Sequence, residues 1–311
     1  MIHKNFINLC LMLLAVCWSV VVQAQTLSVD GIDYSLDKSS MTASVTGPKN
    51  YSGTHLIIPE KVAYNNEEYK VTSVSSYAFV NCLSLTSVDM PWVTSLADAA
   101  FCECTNLVSV NISSVTNLSY AVFWGCSSLA SIELPSSMTS IGRLAFWGCS
   151  SLASIKLPSS MTSIDEEAFS GCLGLTSVEI PSSVTSIGSN AFADCSSLAS
   201  IKIPSSVTSI GSYAFKGCSS LASIEIPSSM TSIGSYAFSD CLGLTSVEIP
   251  SSVTTIEEST FYNCSSLTSI KIPSSVTTIG GGAFNSCSSL TSVEIPSSVT
   301  NIGNYAFENR I

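Results

Sequence analysis

Phenylalanine recurs along this 311-residue chain at Phe79, Phe101, Phe123, Phe146, Phe169, Phe192, Phe215, Phe238, Phe261, Phe284 and Phe307, in steps of 22, 22 and then 23 throughout. Proline keeps the 23-residue interval at Pro135, Pro158, Pro181, Pro204, Pro227, Pro250, Pro273 and Pro296. A fixed period of this length confines the chain to a stack of near-identical coils. Each coil turns about eight apolar side chains inward, worth roughly 12–24 kcal/mol gross at ~1.5–3 kcal/mol apiece. Ordering the backbone of one coil costs more than that, at ~1–2 kcal/mol per residue. No coil stands alone, so each must be covered by its neighbours in a one-dimensional array.

Within a unit, Leu244, Val247 and Ile249 alternate with Ser246 and Glu248, the period-2 signature of a short strand. Pro250 lacks the amide for a further ladder bond and ends it, Ser251 and Ser252 turn the chain, and Val253 and Ile256 return inward. Further on, Ala237, Phe238 and Cys241 are spaced to share one face of a single helical turn. The expected coil is therefore one short strand, a proline corner and a short helical turn, with like strands pairing in parallel.

These residues resemble the BspA-like, Treponema-type class of leucine-rich repeats found in bacterial and protozoan surface proteins. The run LTSVEIPSSVTSIG at Leu175–Gly188, followed by Ala191, Phe192 and Cys195, carries the resemblance, which spans roughly Leu85 to Phe307. A degenerate first coil with Ile57, Ile58, Pro59 and Tyr77, Ala78, Phe79 extends it upstream. The resemblance implies a right-handed leucine-rich-repeat solenoid and a role in adhesion or interaction with host proteins, matrix or neighbouring cells. No Asn occupies the turn after the strand, so ligand rules from the plant and vertebrate repeats do not transfer.

The irregular segments predict the domain organisation. Residues 1–24 read as a secretory signal peptide: His3 and Lys4, an apolar run from Leu9 to Val22, then a small-residue cleavage site ending at Ala24. That run falls short of the ~20 residues a membrane span needs. Val16 sits where a lipobox before Cys17 would carry a smaller residue. Residues 25–54, with strand-like alternation but no repeat, are expected to form an N-terminal β cap, and 55–311 the solenoid of about 11 coils. Ala63 to Tyr69 is an insertion and is expected to be a loop. At the far end Arg310 stands in the place of the repeat cysteine.

Thirteen cysteines in an exported chain would ordinarily suggest disulfides. Ten of them, from Cys82 and Cys104 to Cys264 and Cys287, instead occupy one coil position and predict a buried column of thiols about 4.8 Å apart. A straight row cannot make a tetrahedral metal site, and Cys102 with Cys104 has no second pair nearby. No metal or cofactor is expected. After signal removal His55 is the one imidazole left for acid–base chemistry, and no nucleophile elbow, phosphate loop or zinc-protease motif occurs. The carboxylate pairs Glu166/Glu167 and Glu257/Glu258 are read as corner solvation, and the chain as a non-enzyme, with a hydrolase the weakest alternative. A net charge of −11 leaves nothing to neutralise phosphates, which excludes nucleic acid as a partner.

Two candidate interaction surfaces remain. The exposed strand face carries Glu133, Lys156, Glu179, Lys202, Glu225, Glu248, Lys271 and Glu294, nearly alternating in sign beside a column of serines. It reads either as a register-keeping ladder or as a ligand face. On the corner, Trp124 and Trp147 follow Phe in adjacent coils and Tyr213 and Tyr236 form a milder pair; they anchor a protein or a glycan, or pack on each other. Together these features predict a secreted or cell-surface binding module for protein or glycan partners. The alternative is a self-associating envelope or matrix component.

Overall fold

The computed structural model describes residues 25–48 and 51–308. The signal-peptide segment 1–24, and Arg310 with its neighbours, lie outside them. The chain is a parallel β-solenoid entered through an antiparallel meander: β1 (Gln25–Val29) pairs β2 (Ile32–Asp37), and β2 pairs β3 (Thr42–Pro48). β4 (His55–Ile57) begins the strand face of the solenoid. β5 (Lys61–Tyr64) and β6 (Glu67–Val74) pair antiparallel, so the insertion at 63–69 is a hairpin and not a loop. Its two turn residues, Asn65 and Asn66, have φ of 50° and 65°, the doubly left-handed turn that matches strand twist. β3 then pairs β6 in parallel, and β6 pairs Ser95–Leu96 of the next coil, so the meander continues directly into the stack.

Most coils contribute to two parallel ladders. Three-residue strands such as Ser154–Lys156, Ser177–Glu179 and Ser200–Lys202 pair in register on the strand face. Two-residue strands such as Ser163–Ile164, Ser186–Ile187 and Ser209–Ile210 pair on the return face, from the inward-turning segment after the proline corner. Alternation decides the burial: Ile155, Val178 and Ile201 are buried while their serine and charged neighbours are exposed.

The expected helical turn does not form. The corner holding Phe is a run of tight turns in which alternate amides leave the coil. Tyr213, Phe215 and Gly217 donate to the carbonyls of Ser235, Ala237 and Ser239 in the following coil, at 2.8–2.9 Å. The intervening Ala214, Lys216 and Cys218 donate three residues back to Gly211, Tyr213 and Phe215. Left-handed residues make this possible, Tyr213 at φ 60° and Gly217 at 71°. On the return face the bonds run the other way, Gly211 donating to Ile187 of the preceding coil at 2.8 Å. A Cβ on Gly211 would lie 2.5 Å from the Ser189 nitrogen, so glycine is required there by the closeness of two backbones.

The interior is a file of aligned rings. From Phe79 to Phe307 each phenylalanine stacks on the next, with centroids 5.1–5.9 Å apart and planes within 17°. All but Phe307 are fully buried.

The strand-face ladder is interrupted. Among the described interior coils, that at Ser131–Leu134 joins neither neighbouring strand: the ladder ending at Ser109–Asn111 stops before it, and the next begins at Ser154–Lys156. Here the period changes. Leu134 and Met138 are separated by Pro135, Ser136 and Ser137, where the preceding coil has only Ser113 and Ser114 between Ile112 and Val115. A milder interruption at Ser223–Ile226 retains single bridges from Glu225 to Lys202 and from Ser223 to Ser246.

Candidate interaction surfaces

The cysteine column is structural. Cys104, Cys126, Cys149, Cys172, Cys195, Cys218, Cys241, Cys264 and Cys287 are all buried, and each thiol donates to the carbonyl of the phenylalanine one coil earlier, at 3.0–3.2 Å. Each buried thiol thereby has an acceptor inside the core. All eleven cysteines among the described residues are thiols. Burial drives the thiols up, Cys104 and Cys195 to about 12, because a thiolate would be stranded in the apolar core. Such thiols are poor nucleophiles and poor ligands. Cys102 points away from the column into a small separate cluster with Ala99 and Ala121. The described residues contain no group of three His, Cys, Asp or Glu side chains suited to a metal.

The carboxylates of the corner have an assigned partner. Arg143 reaches Glu166 at 3.5 Å and donates to Glu167 at 2.9 Å, tying adjacent coils together at the surface. His55 is exposed, and its Nδ1 bonds the Ser87 hydroxyl of the next coil.

The structure brings the charged column into file. Lys156 is in register with Glu179, Glu179 with Lys202, and Glu248 with Lys271. Glu225 faces Lys202 through an isolated bridge, while Glu133 and Glu294 lie in segments that join no strand-face ladder. One ion pair closes among these described residues, Lys271 to Glu248 at 3.2 Å, with both side chains more than 70% exposed. Exposed pairs of this kind contribute little, so the column is a set of solvated charges more than a clamp.

The aromatic pairs also form. Trp124 and Trp147 lie with centroids 5.4 Å apart and planes tilted by 45°. Both are half-buried. Beneath them Trp124, Tyr120 and Leu144 pack on the cluster of Ala99, Cys102 and Ala121. Tyr213 and Tyr236 stack flat at 4.8 Å, with the Lys216 ammonium 5.9 Å above the Tyr213 ring and the Tyr236 hydroxyl donating to Glu258 at 3.2 Å. The apolar satellite under Trp124 was not anticipated. Its signal was available in the column Val80, Cys102, Trp124, Trp147, which is apolar in four successive coils before giving way to Ser170.

Comparison with known proteins agrees with this geometry. A search of curated proteins found no match. Among solved structures, a leucine-rich repeat protein from Bacteroides ovatus is 29% identical, with 91% of each chain covered and a TM-score of 0.63. A leucine rich cell surface protein from Faecalibacterium prausnitzii is 26% identical over 92% of this chain and 96% of that one, with a TM-score of 0.52. The pneumococcal vaccine antigen PcpA, 21% identical over 92% of this chain and 86% of its own, shares the fold with a TM-score of 0.66. The profile of the BspA type leucine rich repeat region matches in six copies, over residues 72–199 and 185–311. With its coil length, its parallel ladders and a family match across most of its length, this chain belongs to the BspA type leucine-rich repeat family.

Proposed function

We propose that the chain is an exported, surface-displayed binding module that engages proteins or glycans of host matrix or neighbouring cells, and that it carries out no chemistry of its own. The observation that carries the reading is the Trp124–Trp147 pair, large aromatic area held in place by packing beneath it. Aromatic anchors fixed before contact contribute most of the affinity at protein surfaces, because little conformational freedom is lost on binding. Export is supported by the composition of residues 1–24 and by the Faecalibacterium relative, itself named a cell surface protein. No helix among the described residues is long and apolar enough to cross a membrane. The absence of a catalytic role is supported by the engagement of Glu166 and Glu167 with Arg143.

The test is binding of the chain to immobilised host matrix and cell-surface fractions. Joint replacement Trp124→Ala and Trp147→Ala is expected to weaken retention at least tenfold while thermal unfolding stays cooperative. Unchanged retention would remove the corner from consideration.

A second reading, self-association, is favoured by the last described coil. Ile302 is 47% and Tyr305 67% exposed, whereas Ile279, one coil earlier at the position of Ile302, is fully buried. Under this reading the sedimentation coefficient rises with concentration and returns to the monomer value in Ile302→Asp. A concentration-independent monomer disposes of it.

A further inference from the structure

The charges of the strand face stand in an order that register-keeping alone does not require. From Lys156 through Glu179, Lys202, Glu225, Glu248 and Lys271 to Glu294 the signs run plus, minus, plus, minus, minus, plus, minus. A file built only to relieve repulsion would alternate throughout, yet Glu225 and Glu248 are like charges in adjacent coils. Reversed end to end, the same order shows the opposite sign at every place except the middle one, Glu225. A second copy turned about Glu225 therefore sets Lys202 against Glu248, Glu179 against Lys271 and Lys156 against Glu294, six opposite pairs when both halves are counted. Every other two-fold register along the column from Asp89 onward forms at most four, so this one is selected. The neighbouring outward positions are serines and, beside them, Ala153, Thr176, Ala199, Ala222, Thr245 and Thr268, all exposed and all short. Two such faces can approach until the longer charged side chains meet.

We infer that the strand face from Lys156 to Glu294 pairs with the same face of a second copy of this chain, the two related by a two-fold axis that passes Glu225 and runs along the strands. Such an axis keeps each column opposite itself and reverses the order of the coils, as a self-complementary contact requires. A partner that holds seven charges in step must repeat at the spacing of the coils, and a second copy has that spacing. Seven coils at ~4.8 Å, with strands of about five residues at ~3.3 Å, cover roughly 550 Å2 on each copy, about 1,100 Å2 in all. That lies just above the ~1,000 Å2 of the smallest specific interfaces, and each copy carries a net charge of −11, so the pair is weak and exchanges. Its ion pairs fix the register more than they raise the affinity. The inference goes beyond both readings above, since it uses neither the tryptophan corner nor the exposed terminal coil.

The test is sedimentation equilibrium of the chain at concentrations up to about 1 mM, where even a weak pair is populated. Lys202→Glu, which meets Glu248 of the second copy with a like charge, is expected to lower the association constant at least tenfold. Adding Glu248→Lys should recover it. The two positions are two coils apart within one copy, so the two-fold arrangement is what couples them. Adding Glu257→Lys instead, equal in charge but exposed on the corner, should recover nothing. Glu225→Gln removes the one like pair and should raise association about threefold or more. All these positions are exposed, and unchanged thermal unfolding shows that each variant is folded. The inference is overturned if the chain stays monomeric, if Glu248→Lys rescues no better than Glu257→Lys, or if Glu225→Gln fails to strengthen the pair. Ile302→Asp separates it from the terminal coil: association that survives Ile302→Asp and falls in Lys202→Glu supports this face, and the reverse result removes it.

Discussion

Replacing Phe192 by alanine is expected to lower the unfolding free energy by about 3–5 kcal/mol, the range for emptying a fully buried aromatic position. Phe192 stacks on Phe169 at 5.4 Å and on Phe215 at 5.5 Å, so the substitution leaves a gap in a file and strips two rings of a neighbour. In a one-dimensional array such damage divides the stack, because each coil is stabilised chiefly by the two beside it. The urea transition should therefore move to lower denaturant and broaden, as the portions on either side begin to unfold separately. The same change at half-exposed Phe307 should cost distinctly less. Equal losses at the two positions would contradict a continuous stacked interior.

Raising the pH is expected to unfold the chain at a threshold set by the thiols. A cysteine in the unfolded chain ionises near pH 8.5–9. In the folded column Cys104 and Cys195 hold their protons to about 12, and Cys126, Cys149, Cys172, Cys218 and Cys264 are also raised well above the ordinary value by burial. The unfolded state therefore binds fewer protons than the folded one above that pH, and stability declines as pH rises toward the folded values. Below pH 8 the contribution is complete and constant. Each thiol adds a slope of about 1.4 kcal/mol per pH unit once the unfolded form is ionised, so several in concert should exhaust an ordinary stability before pH 11. Tyr34, raised to about 12 by burial and by Asp30, adds to the descent at its upper end. The check is urea stability measured from pH 6 to 11. A triple variant, Cys172→Ala, Cys195→Ala and Cys218→Ala, is less stable at neutral pH but should show a slope shallower by about 4 kcal/mol per unit above pH 9. An unaltered slope would mean that the column is not the titrating element.

The apolar interior is legible from spacing alone, since the phenylalanine and cysteine positions are invariant within a coil and every one from Cys104 to Phe284 is buried. What spacing does not convey is backbone conformation. Ala237, Phe238 and Cys241 do share an inward face, as a helical turn would give, yet the chain reaches that arrangement through the left-handed residues Tyr236 and Asp240. The clue lay two positions after most of the phenylalanines, where Asn81, Gly125, Gly148, Gly171, Asp194, Gly217, Asp240 and Asn263 share a column with Glu103 and Ser286. Gly, Asn and Asp are the residues most tolerant of positive φ, and all ten positions adopt it. The hairpin at 61–74 was announced in the same way by Asn65 and Asn66. Members of the candidate surfaces were legible as columns, but the break at Ser131–Leu134 was visible only as a change of step from 22 to 23. That shift fixes a coil's length without indicating which hydrogen bonds are sacrificed.

The opposed directions of the two sets of amides have an electrostatic consequence. On the phenylalanine corner the N–H vectors point toward later coils, and on the return face toward earlier ones. Two antiparallel rows of peptide dipoles largely cancel along the long axis, unlike the aligned peptide units of a helix. Extending the molecule therefore accumulates no growing polarisation at its tips. Duplication or deletion of a whole rung meets no long-range penalty, and the reach of such a protein is adjustable in single-rung increments.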